Sequence, residues 1–105
     1  MPWFFLLVAG ILEIVWAFAM KQSDGFSRFL PSLVMLVAMA ASFWLLALAM
    51  RTIPLGTAYT IWTGIGAVGA FVAGVVFLAE PVNAARIFAA TLIVSGLVLM
   101  KLSSP

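Results

Sequence analysis

The chain has 105 residues, of which 67% are hydrophobic and 8% charged, and so few charged side chains cannot cover the surface of a water-soluble domain this small. The five basic residues, Lys21, Arg28, Arg51, Arg86 and Lys101, stand singly against three acids for a net charge of +2, which is no nucleic-acid footprint. Cysteine and histidine are both absent, and with them disulfide scaffolds, thiolate nucleophiles, histidine triads and His/Cys metal sites.

Polar clusters divide the chain into four apolar runs. The first, Trp3 to Met20, has the length of a secretory signal but lacks a basic leading segment, contains Glu13 and precedes three further runs, so it is expected to remain as a membrane span. A turn from Lys21 to Leu30 with Ser23-Asp24-Gly25 leads to the second run, Pro31 to Met50, in which Ser42 is the clearly polar residue. Arg51 to Gly56, with Pro54-Leu-Gly56, leads to the third run, Thr57 to Leu78, and Ala79 to Asn83 with Glu80-Pro81 to the fourth, ending at Met100. Counted from Ile87 the fourth is short; Asn83 as N-cap and Arg86 extending its head to the interface restore the missing turn. Runs of about 18 to 22 residues at 1.5 Å per residue cover about 27 to 33 Å, the thickness of a bilayer's hydrocarbon. The expectation is a single all-α integral membrane domain over 1–105 with four transmembrane helices.

The loops leave no room for a soluble catalytic domain and hold no phosphate-binding Gly-x4-Gly-Lys-Ser/Thr loop, so no enzyme activity and no cofactor are expected; active work would draw on an ion gradient. Four spans put both termini on one side, with Arg51 and Lys101, against Lys21, Arg28 and Arg86 on the other. So even a balance orients the chain weakly, and either orientation should insert.

Of the acids, Asp24 and Glu80 fall in loops, while Glu13 falls near the middle of the first span. A carboxyl there costs several kcal/mol to insert and usually faces a bundle interior or wet cavity on an ion or substrate path. Gly10, Glu13 and Trp16 follow at three-residue steps, with Ala17 and Met20 beyond, and Tyr59 and Trp62 share a face of the third span. An acid beside aromatic faces suits an organic cation, which gains about 0.5 to 2 kcal/mol from each ring. Trp3 and Trp44 are read as interfacial or lipid-facing. Ser42 either bonds the carbonyl four residues back on its own helix or orients Glu13.

Gly64-Ile-Gly66-Ala-Val-Gly69 matches the dinucleotide-binding pattern in letters, but no strand or βαβ unit fits inside a span. Gly66, Ala70 and Gly74 are read instead as a small-residue ridge, and Ala89 and Gly96 as a second on the fourth helix, both expected at a helix-pairing seam between two copies. Four helices hardly enclose a solute with its water, so a second copy is expected, inserted upside down to supply inverted symmetry. Two Glu13 carboxyls then meet near the midplane, where they hold a proton that an entering cation displaces. Occupancy by proton or cation in turn, with alternating access, gives antiport.

The stretches Gly10-Ile-Leu-Glu13-Ile-Val-Trp16-Ala17, Lys21-Gln-Ser23-Asp-Gly25-Phe26 and Pro54-Leu-Gly56-Thr-Ala-Tyr59-Thr-Ile-Trp62-Thr-Gly64-Ile-Gly66 resemble the small multidrug resistance family over essentially the whole chain. The resemblance implies a dual-topology antiparallel homodimer in a bacterial inner membrane that exchanges protons for cations through the first-helix glutamate. Trp16 three residues after that acid is similar to the guanidinium-exporter subtype. It implies Glu13 as proton and substrate acceptor, Trp16 and Trp62 as flanking indoles, Tyr59 as a gating hydrogen-bond partner, Ser42 as orienter of the carboxylate and Gly10 as the small residue beside it. Quaternary ammonium efflux, or service as a structural or regulatory membrane subunit, are the alternatives.

Overall fold

The computed structural model describes residues 1–103 and consists of four helices, α1 (Pro2–Gln22), α2 (Phe29–Ala49), α3 (Leu55–Leu78) and α4 (Ala84–Leu102). All four are long and apolar enough to cross a membrane, and no strand occurs among the described residues. The helices begin where proline and asparagine chemistry allows. Pro2 opens α1, and Pro31 sits in the first turn of α2, where the missing N–H forfeits no intrahelical bond. Asn83 caps α4 as expected, its side chain accepting from the Arg86 N–H at 2.9 Å, so α4 starts three residues before Ile87 and gains the turn it needed.

The connection from α1 to α2 is a fixed turn built around Ser23, which is fully buried. Its hydroxyl donates to the Met20 carbonyl at 2.6 Å and accepts from the Phe26 N–H at 3.1 Å. That closure carries Asp24, Gly25 and Phe26 through positive φ (50°, 71° and 68°), a run that glycine and aspartate tolerate better than phenylalanine. At the end of α3, Ala79 takes φ 54° and the Glu80 N–H reaches back to the Gly74 carbonyl at 3.1 Å.

The bundle is organised around α1, which packs on α2 and on α3, whereas α2 and α3 scarcely meet. The backbone of α4 runs beside α3 alone, and none of its residues is buried. The core lies toward the end that carries the termini: Leu6 and Ala9 of α1, Leu46 and Ala49 of α2, Ile53 of the connection, and Ala58, Ile61 and Trp62 of α3. Small alanines at the contacts let the helices approach closely, which is how packing is gained where lipid is as apolar as leucine. The protomer is a slab of 43 × 34 × 16 Å.

The small-residue ridges divide differently from the expectation. Gly66 and Gly74 are buried inside the protomer, the first against the Glu13 carboxyl and the second against the Glu80 carboxyl, and a Cβ at either would collide with those groups. Their missing side chains make room within one chain for the two carboxyls. Ala70, between them, is half-buried. On α4 the reverse holds: Ala89 and Gly96 are exposed, and a Cβ at Gly96 would meet nothing within 4 Å.

Candidate functional site

Glu13 stands halfway along α1, on the side packed against α3. Its side chain is half-buried and lies directly on Gly66, the α3 residue that leaves room for it. One carboxyl oxygen, Oε1, is buried with no hydrogen-bond partner in the protein, and the indole N–H of Trp16, one turn along the same helix, is likewise buried and unpaired. A donor and an acceptor left bare within one turn of helix are unusual, because each unsatisfied buried group costs about 1–3 kcal/mol. A carboxylate oxygen in that state can accept a proton or an N–H of a cation.

An aromatic chain runs across the three helices beside the acid. Trp16 of α1 meets Phe43 of α2 edge-on, with centroids 6.3 Å apart. Phe43 tilts against Trp62 of α3 at 5.8 Å, and Trp62 against Tyr59 at 5.5 Å. Trp62 is only 6% exposed, while Tyr59 and Phe43 present about half their surface outward, 53% and 47%. The pairing of the two indoles therefore passes through Phe43, a link between α1 and α3 that spacing along the chain does not reveal. Trp44 itself is exposed, as a lipid-facing residue should be.

Ser42 is fully buried, and its hydroxyl bonds neither the carboxylate nor its own helix. It donates to the Ala9 carbonyl of α1 at 2.7 Å and accepts from the Trp62 Nε1–H at 3.0 Å. The hydroxyl ties three helices together one turn before the acid and holds the Trp62 ring. Gly10 lies one turn before the acid on the same helix. It is buried against Ile65, where a Cβ would approach the isoleucine Cγ2 to 2.6 Å, so it sets the spacing of α1 and α3. The residue that flanks the carboxyl is Gly66, and the signal available for it was the glycine-rich stretch of α3, read as a ridge. Among the described residues no group of three or more His, Cys, Asp or Glu side chains could hold a metal ion.

Comparison with known proteins places these features in a family. Residues 1–93 match the family described as Small Multidrug Resistance protein. The chain is 53% identical over 104 residues to a protein of Yersinia pseudotuberculosis named guanidinium exporter, covering 99% of this chain and all of the relative. Proteins of the same name from Salmonella typhimurium and Citrobacter freundii are 51% and 49% identical over 104 residues, with 99% of each chain covered.

Proposed function

The chain belongs to the small multidrug resistance family, as a multi-pass membrane protein that in bacteria resides in the inner membrane, and from that premise we propose that it is a proton-coupled exporter of guanidinium and small substituted guanidinium cations. The observation that carries the reading is the bare Glu13 oxygen in mid-span, packed on Gly66 and one turn from Trp16. Guanidinium is planar and donates two parallel N–H bonds to a carboxylate, so it satisfies that oxygen and keeps its faces free for the neighbouring rings. A proton on the same carboxyl removes the acceptor and the charge, so proton and cation exclude each other. That exclusion, with alternating access, is sufficient for exchange. The names of the relatives point the same way.

Glu13, Trp16, Trp62 and Tyr59 are the residues assigned to substrate, with Ser42 and Gly10 holding the helices on which they ride. With α2 and α3 scarcely meeting and α4 beside α3 alone, one protomer leaves the acid's surroundings open to a further wall. The reading therefore includes a second copy, inverted in the membrane and seated on the exposed face of α4 through Ala89 and Gly96. Quaternary ammonium ions are the second reading, favoured by the half-exposed rings of Phe43 and Tyr59, since such ions lack N–H donors and rely on aromatic faces.

Electrical recording on a supported membrane tests the proposal. Guanidinium added to purified protein in proteoliposomes is expected to give pH-dependent charge movement that Glu13→Gln abolishes while the variant still inserts. Coupled guanidinium transport surviving in Glu13→Gln refutes the assignment of the acid. Competition between guanidinium and tetraalkylammonium ions ranks the two substrate classes.

A further inference from the structure

On the face of the bundle that carries the α1–α2 and α3–α4 connections, Lys21 stands at the end of α1, Glu80 just beyond α3 and Arg86 in the first turn of α4. All three line one cavity of about 330 Å³, with Phe18, Ala70 and Phe71 forming an apolar floor beneath them. The Glu80 carboxyl is folded onto Gly74 in the last turns of α3. The end of a helix is the wrong place for an anion, so the acid there gains nothing from the backbone dipole. Arg86 pairs with no acid among the described residues; its side chain is exposed and its guanidinium lies over the Phe71 ring of α3, 5.3 Å from the centroid. Two bases and one acid leave the mouth of the cavity with a formal charge of +1.

A positive mouth at the level of the membrane surface over an aromatic floor at acyl-chain depth is complementary to one class of molecule present wherever this protein is. We propose that this cavity holds an anionic phospholipid, its phosphodiester between Lys21 and Arg86 and an acyl chain lying on Phe18 and Phe71. The planar guanidinium offers the phosphate two parallel donors and the ammonium adds a point charge, while Glu80 limits the attraction and keeps the lipid exchangeable. A soluble anion has no use for the apolar floor, and a cation is disfavoured by the two bases. The site lies on the loop-bearing face, away from Glu13, so it does not depend on how the transport reading fares.

Native mass spectrometry of the protein released from nanodiscs of equal phosphatidylglycerol and phosphatidylcholine content tests the site. Phosphatidylglycerol is expected to be retained preferentially, and Arg86→Gln or Lys21→Gln each to lower that retention roughly fivefold without changing phosphatidylcholine. Glu80→Gln is expected to raise it, a gain that loss of folding cannot imitate, and Arg28→Gln, which removes a base on the same face outside the cavity, to leave it unchanged. Equal retention of the two lipids by the unmodified protein overturns the proposal. So does a loss in Arg28→Gln as large as in Arg86→Gln, or binding of soluble glycerol phosphate as tight as that of the lipid.

Discussion

Replacing Ser42 by alanine separates a residue that positions Trp62 from one that acts on the carboxylate. In the structure the hydroxyl is fully buried, donates to the Ala9 carbonyl and accepts from Trp62 Nε1–H. Ser42→Ala removes both bonds and leaves the indole N–H of a side chain only 6% exposed without an acceptor. The stranded donor costs about 1–3 kcal/mol, and the lost bond to the Ala9 carbonyl about 0.5–1.5 kcal/mol more. In a Trp62→Phe background there is no indole donor to strand, so the same serine change should cost only the smaller amount. The difference is a coupling energy of about 1–3 kcal/mol, as expected for residues sharing a buried network. Equilibrium unfolding of the four proteins in mixed micelles of dodecyl sulfate and a mild detergent, followed by far-ultraviolet circular dichroism, measures it. Because the hydroxyl does not touch Glu13, the pH midpoint of guanidinium binding should stay in place in Ser42→Ala even as affinity falls. Effects that add to within about 0.3 kcal/mol, or a displaced midpoint with unchanged stability, refute this account and restore a direct bond to the acid.

Two further substitutions probe the glycines. Gly66→Ala places a methyl group against Glu13, whose Cγ would lie 2.8 Å from it, so the acid must leave its position; guanidinium affinity should fall roughly 10- to 100-fold, the value of a charge-assisted bond, and titration calorimetry giving a change under twofold contradicts the geometry. Gly96→Phe should leave the protomer's helicity intact, because a Cβ there meets nothing within 4 Å and the position opens on a cavity beside α3, yet abolish energy transfer between donor- and acceptor-labelled copies in liposomes. Undiminished transfer removes α4 from the proposed contact between copies.

How much was written plainly in the amino acids follows from the solvent. In hydrocarbon every backbone polar group must be satisfied within its own segment, so apolar runs of spanning length leave helices as the outcome, and the spans from Trp3, Pro31 and Thr57 and the Asn83 cap follow from pattern alone. The cost of an acid in that medium likewise marks Glu13 without reference to any neighbour. Partners are another matter, because helical periodicity says which residues share a face but not which face meets which helix. Only the packing of α1 between α2 and α3 decided that Gly66 makes room for the carboxyl, that Ser42 bonds Trp62 and Ala9, and that Phe43 joins the two indoles. Small residues read as one kind of ridge separated, by the same packing, into those spent inside the chain and those left open on α4.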